Sequence, residues 1–248
     1  MIEVKNISKT FGDNQVLKNV STIFEKGKTN LIIGQSGSGK TVMMKSCIGL
    51  INPDEGEILF DQRPFSRLAE KKKKNIRKDM GVLFQGGALF DSFNVEQNVM
   101  FPLNMFTTMS LEEKLDRVNF VLKRVNLENV NKLYPSEISG GMMKRVAIAR
   151  AISNNPQYLF CDEPNSGLDP KTAEVIDALI SEITEEYDMT TVINTHDMNS
   201  VLQIGQRISF LYKGQLWWQG DMHTILEEEN PELQEFVFST ELTRRIKK

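Results

Sequence analysis

Two cysteines in 248 residues, Cys47 and Cys161, are too few for a disulfide-stapled scaffold. Each lies in an apolar context, MMKSCIGL and YLFCDEP, which suits a small buried thiol in a reducing compartment, and neither has metal-ligand spacing around it. Histidine is as scarce, with only His196 and His223. Long apolar runs are missing, since no stretch reaches the roughly 20 residues that a bilayer-spanning helix needs. The opening MIEVKNISKTFG has no apolar segment of the secretory kind. Charge of one sign is missing too: 30 Lys and Arg against 33 Asp and Glu leave a net charge of −3. That balance gives no bulk attraction to nucleic acid or anionic lipid. Repeats and low-complexity linkers are absent. These absences point to a cytoplasmic protein that neither inserts into a membrane nor binds nucleic acid by charge.

What remains is an ordinary globular composition, 40% hydrophobic and 25% charged, long enough to bury a sizeable core. One basic run, Lys71-Lys72-Lys73-Lys74, reads as a solvated helix face or turn. IEVKNIS and QVLKNVSTIF alternate as strands around a Gly12-Asp13 turn. TNLII is a short apolar run followed by a glycine-rich turn and the helical KTVMMKSCIGLI. GEILFD and GVLF read as further strands.

From Val95 to Ser153 the periodicity turns helical. In LEEKLDRVNFVLKRV the apolar positions 111, 115, 118, 121, 122 and 125 share a face, and Ser110 with Glu113 forms a capping box. After it come the buried strand QYLFCDEP, the helix PKTAEVIDALISEITEEY, the strand TTVINTHD and a hairpin, RISFLYKGQLWWQG, turning at Lys213-Gly214. The pattern predicts a parallel-sheet core with an amino-terminal antiparallel sheet and a helical insert, about residues 88–153, between two core strands. Residues 1–240 form the one domain, with 241–248 as a tail.

Three motifs carry chemistry. GQSGSGKT, Gly34 to Thr41, satisfies the phosphate-loop pattern G-x-x-x-x-G-K-[ST] in its strand-before, helix-after context. The glycines of Gly34-Gln35-Ser36-Gly37-Ser38-Gly39 bring backbone N–H groups close to a polyphosphate. Lys40 suits the β- and γ-phosphates, and the Thr41 hydroxyl suits Mg²⁺. YLFCDEP ends a buried strand on Asp162, a candidate Mg²⁺ holder, and Glu163, a candidate to polarise an attacking water. In EISGGMMKRVAIARA, Ser139 can cap a helix whose start, Gly140-Gly141, leaves backbone N–H groups open to an anion.

In this order the motifs resemble those of the ATP-binding-cassette (ABC) transporter ATPases, and the likeness covers nearly all of residues 1–225. The resemblance implies a P-loop NTPase (RecA-like) fold that uses ATP and Mg²⁺. It implies an adenine-stacking Phe11 with Val16 nearby, a Q-loop Gln85 that senses metal and γ-phosphate, and a signature Ile138-Ser139-Gly140-Gly141-Met142. It also implies a D-loop Asp169, the catalytic Glu163 and the switch His196. Met142 stands where that family usually has glutamine. ATP is then expected between the P-loop of one subunit and Ser139–Gly141 of another, in a homodimer held to a membrane permease on the cytoplasmic face.

The segment GGALFDSFNVEQNVMFPL further resembles the phospholipid-transport (MCE/Mla) branch, which implies an MCE-domain partner and makes Leu89, Phe90 and Phe93 candidates for the permease contact. The departures are Phe93-Asn94, where that branch has Leu-Thr, and EPNSGLDP, which is nearer the general family. A transporter of another substrate is the alternative, and a soluble non-transport switch a weaker one, because neither a second cassette nor a long coiled-coil insertion is present. At the carboxyl end, Phe236 and Phe238 read as part of a locally packed or partly disordered tail rather than a docking surface.

Overall fold

The computed structural model describes residues 1–238. An antiparallel hairpin opens it, β1 (Ile2–Phe11) and β2 (Asn14–Phe24), followed by β3 (Thr29–Ile33) and α1 (Lys40–Cys47). Then come β4 (Glu55–Phe60), β5 (Arg63–Pro64), α2 (Glu70–Arg77) and β6 (Met80–Leu83). The helices α3 (Val95–Phe106), α4 (Leu111–Arg124) and α5 (Gly140–Ile152) intervene before β7 (Tyr158–Asp162). The chain continues through α6 (Pro170–Glu186), β8 (Thr190–Asn194), α7 (Met198–Ile204), β9 (Arg207–Tyr212), β10 (Gln215–Gly220) and α8 (Pro231–Val237).

Two sheets organise these elements. The first is antiparallel, in the order β2-β1-β4-β5; the second runs β10-β9-β3-β8-β7-β6 and is parallel except at β10. β3, β7 and β8 are buried almost throughout, as apolar runs at the centre of a parallel sheet must be. Period-2 alternation cannot tell which sheet a strand joins. GEILF goes to the first, where Ile2 faces Phe60 and Val4 faces Ile58. Phe60 lies between the sheets, its ring edge-on to Phe65 at 5.1 Å and to Tyr158 at 4.7 Å.

The helical lobe, α3 to α5, leaves the main sheet after β6 and returns at β7, so its orientation is felt directly by two core strands. The Ser110–Glu113 capping box forms, with Ser110 N–H donating to Glu113 at 2.6 Å and Glu113 N–H to Ser110 Oγ at 3.2 Å. Such a cap contributes about 1 kcal/mol. Of the apolar face expected on α4, Val118, Val121 and Leu122 are buried while Leu111 is 66% exposed, because the first turn projects beyond the lobe's core. The Lys213-Gly214 hairpin turns with φ of 48° and 82°, the paired left-handed conformations of a two-residue loop.

The lysine run departs from the sequence expectation at one position. Lys71, Lys72 and Lys74 are exposed on α2, but Lys73 is buried, its ammonium bonded to Asn52 Oδ1 at 2.8 Å and paired with Glu70 at 3.1 Å. α8 packs back onto the sheet. Phe236 is buried, its ring 5.5 Å from that of Phe210, and Phe238 is half-buried, so this part of the tail is packed. Residues 241–248 lie outside the described residues.

Candidate functional site

A cleft of about 970 Å³ opens at the carboxyl ends of β3 and β7, where parallel strands leave their side of the sheet free. Gln35, Ser36, Gly37, Gly39, Lys40 and Thr41 line one wall; Gln85, Asp162, Glu163 and His196 line the other. The loop's curvature depends on glycine. Gly34 has φ +147°, and a β-carbon there would stand 2.2 Å from the Leu211 carbonyl oxygen. Gly39, at φ +107°, starts α1, and its β-carbon would stand 2.9 Å from Leu17 Cδ2. The Lys40 ammonium, buried beneath the loop, donates to the carbonyls of Gly34 at 2.7 Å and Gln35 at 3.1 Å. Burial lowers its pKa, and the nearby Glu163 and Asp162 carboxylates partly offset this.

On the opposite wall, Asp162 ends β7 and accepts a 3.0 Å bond from Asn194 Nδ2. Glu163, the next residue, has φ +49°, a conformation that costs a non-glycine residue about 1–3 kcal/mol. That turn brings its carboxylate to His196, with Nδ1 and Oε1 2.8 Å apart. Gln85 leans toward the same segment, donating to Ser166 Oγ at 3.3 Å.

The wall therefore offers an ammonium, a helix start, a hydroxyl, two carboxylates and an imidazole. That set can hold a polyphosphate and take a proton beside it. The Thr41 hydroxyl, Asp162 carboxylate and Gln85 amide oxygen are hard oxygen donors suited to Mg²⁺, which takes few protein ligands and shares substrate oxygens and water. No group of three or more His, Cys, Asp and Glu is arranged to hold a metal among the described residues.

Apart from Val16, the other candidate residues are not gathered into this cleft. Val16 lines it, whereas Phe11 is 47% exposed on its hairpin, with the Lys9 ammonium 5.4 Å from its ring centre. Ser38 is buried beneath the loop and its Oγ has no partner. Ser139 caps α5 by accepting the Met142 N–H at 3.3 Å, and Asp169 caps α6 by accepting the Thr172 N–H at 3.0 Å. These two caps adjoin each other, since a β-carbon on Gly141 would meet Thr172 Cγ2 at 2.9 Å. Ser139, Gly140 and Asp169 are exposed, while Gly141 is half-buried. None of the four lines the cleft, so within one chain the signature and the P-loop are separate surfaces.

The segment after Gln85 borders a second, mostly apolar groove of about 870 Å³. Leu50, Phe84, Phe90, Phe101 and Met105 supply its apolar wall, with Arg77 and Lys78 at the rim. Phe90 is 41% exposed there, its ring 4.8 Å from Phe101 and 5.2 Å from Phe93. Leu89 instead packs against the core of the helical lobe, and Phe93 is half-buried behind Phe90; neither lines the groove.

Sequence reasoning missed the residues that hold this segment. Asn98, fully buried, accepts the Phe90 N–H at 2.8 Å and donates to the carbonyls of Phe90, Phe93 and Asn94 at 3.1 Å each. Arg150 of α5 donates to the carbonyls of Ala88 at 2.7 Å and Gly87 at 2.6 Å, and Lys144 to that of Gln85. A signal existed in the sequence, since a basic residue on the apolar face of a helix needs a polar partner, but the partner's place was not readable.

Comparison with known proteins agrees with this geometry. Residues 17–166 match the ABC transporter family. The chain is 38% identical over 236 residues to the probable ribonucleotide transport ATP-binding protein mkl of Mycobacterium leprae, covering 95% of this chain and 68% of that protein. It is 39% identical over 254 residues to the methionine import ATP-binding protein MetN of Campylobacter jejuni, covering 96% and 75%. To the intermembrane phospholipid transport system ATP-binding protein MlaF of Haemophilus influenzae it is 37% identical over 239 residues, covering 96% and 90%. Among solved structures, the dimeric ATP-binding cassette MJ0796, in a post-hydrolysis state bound to ADP and Pi, superposes with a TM-score of 0.82 at 35% identity, covering 90% of this chain and 99% of that one. This chain belongs to the ABC transporter family and is one of its ATP-hydrolysing subunits.

Proposed function

We propose that this subunit powers phospholipid transport, as a homodimer on the cytoplasmic face of a membrane complex containing a permease and an MCE-domain protein. In this reading Lys40 and the Gly34–Thr41 loop bind the ATP phosphates, and Val16 and Phe11 meet the base. Thr41, Asp162 and Gln85 would hold Mg²⁺, which when bound neutralises phosphate charge. Glu163 takes the proton of the attacking water, and His196 holds Glu163 and the γ-phosphate. Ser139, Gly140, Gly141 and Asp169 serve the site of the other subunit, closing it around ATP. Loss of the γ-phosphate then removes the charge that bridges two helix starts.

The observation that carries the transport reading is the continuity of residues 84–90. Gln85 lines the nucleotide cleft while Phe84, Ala88 and Phe90 line the apolar groove, so a partner in that groove touches the segment that faces ATP. For phospholipid as the substrate, the support is the resemblance of GGALFDSFNVEQNVMFPL to that branch and the near-full-length match to MlaF. The mkl and MetN relatives, at similar identity, keep ribonucleotide and methionine as the readings to be tested against it.

The test is purification of the tagged chain from detergent-solubilised membranes. Recovery of a permease with an MCE-domain protein and bound phospholipid is expected. A permease accompanied by a soluble amino-acid- or nucleoside-binding protein, without an MCE-domain protein, would overturn the substrate assignment. Phe90→Ala is expected to lower permease recovery about tenfold, in keeping with an aromatic hot spot, while ATP affinity of the isolated subunit stays within about twofold. Loss of ATP binding by that variant alone would show that Phe90 serves the fold instead of the groove.

A further inference from the structure

β8 ends on a polar residue where the strand is otherwise running through the core. Val192, Ile193 and Asn194 are all fully buried, and Asn194 is paired with Asp162 across the parallel β7–β8 ladder. Its Nδ2 donates to Asp162 Oδ1 at 3.0 Å. An ionised carboxylate can only accept, so the nitrogen side of the amide must face Asp162 and the oxygen side must turn away. That oxygen, Asn194 Oδ1, is buried without a partner. A hydrogen bond to a charged group and an unpaired buried acceptor are of similar size and opposite sign. The amide therefore adds little net stability, and an aliphatic side chain would suit the strand's burial as well. What the amide alone supplies is a direction for the Asp162 carboxylate. The terminal torsion of an aspartate is broad, and a donor on one oxygen fixes it. Through its backbone the same residue reaches Glu163: the Asn194 carbonyl accepts the Glu163 N–H at 3.0 Å, at the residue whose φ is +49°.

We propose that Asn194 is a positioning residue for ATP hydrolysis, whose amide sets the orientation in which the Asp162 carboxylate meets Mg²⁺. Asn194 does not line the nucleotide cleft, so it acts through Asp162 from the neighbouring strand. A donor on a carboxylate that serves a metal holds it in one rotation and spares the ion the entropy of ordering it. Every residue at position 194 keeps the backbone carbonyl that holds Glu163, so a substitution there isolates the contribution of the amide. The proposal rests on the role given above to Asp162.

The experiment compares the unaltered chain with Asn194→Leu and the smaller Asn194→Val, both of which remove the donor and suit a buried strand. Mn²⁺ serves as the probe in place of Mg²⁺, its binding in the presence of the non-hydrolysable analogue AMP-PNP being read by electron paramagnetic resonance. Mn²⁺ affinity is expected to fall about tenfold or more in both variants, with AMP-PNP binding in the absence of metal kept within about twofold. In steady-state hydrolysis, kcat at a Mg²⁺ concentration that saturates the unaltered chain is expected to fall about tenfold or more and to recover in part as Mg²⁺ is raised. The melting temperature of the nucleotide-free chain is expected to stay within about 4 °C. Unchanged Mn²⁺ affinity in both variants overturns the proposal, as does a loss of metal-free AMP-PNP binding in step with it. A melting temperature lowered by more than about 10 °C in both also overturns it, because the amide would then serve the sheet. Asp162→Asn run alongside separates the two levels. If that variant loses Mn²⁺ and the Asn194 variants are normal, only the positioning role fails; if it binds Mn²⁺ normally, the role of Asp162 itself fails.

Discussion

Glu163→Gln is expected to lower steady-state ATP hydrolysis by about 10²–10⁴-fold while ATP affinity is kept or improved. Glutamine matches the carboxylate in size and retains an oxygen to accept the His196 contact, now 2.8 Å from Glu163 Oε1. What it loses is the capacity to take a proton. It also removes a negative charge from a cleft that must accept a triphosphate, so binding should tighten, not weaken. The left-handed backbone at Glu163, φ +49°, belongs to the turn out of β7 and should persist, because glutamine meets the same backbone penalty as glutamate. Phosphate release and equilibrium ATP binding, measured on the same preparation, check both halves. Hydrolysis at the unaltered rate would remove Glu163 from the mechanism.

The second large effect is expected at Lys40, where alanine should weaken ATP binding by about 10²-fold or more, at 1.5–3 kcal/mol for each charge-assisted bond lost. The ammonium sits under the loop with carbonyls of Gly34 and Gln35 as its hydrogen-bond acceptors. Its desolvation, seen in the lowered pKa, makes it a stronger partner for an incoming phosphate than an exposed lysine would be. Arginine should not rescue it, because a planar guanidinium does not reproduce the point contacts the ammonium makes with the Gly34 and Gln35 carbonyls. Isothermal titration with ATP decides it, and unchanged affinity would contradict the assignment.

These residues can be read from sequence because their spacing is the chemistry: a phosphate loop needs its glycines, lysine and hydroxyl within eight consecutive positions, and a strand end delivers Asp162 and Glu163 together. The parallel core and the helical insert are readable for the same reason, as runs and periods. What resists reading is support that comes from far along the chain. Asn194 orients Asp162 from 32 residues away, and Arg150 holds the backbone of Gly87 from 63 away. Asn98 is local, but nothing in VEQNVMF marks its amide as the anchor for Phe90. Lys73 is buried inside a lysine run because Asn52 and Glu70 meet its ammonium there, which composition cannot show. Leu89 and Phe90 are adjacent and alike in the sequence, yet one packs inward and the other lines the groove.

The central claim is that the P-loop of one copy and the Ser139–Gly141 helix start of another make one ATP site. Sedimentation of Glu163→Gln, with and without Mg²⁺ and ATP, tests it most directly. The account predicts a shift from the 28.3 kDa monomer to twice that mass on adding ATP, and no shift when Ser139→Arg is added to the same chain. A variant that stays monomeric with ATP bound, or that dimerises equally well with Ser139→Arg, would contradict it.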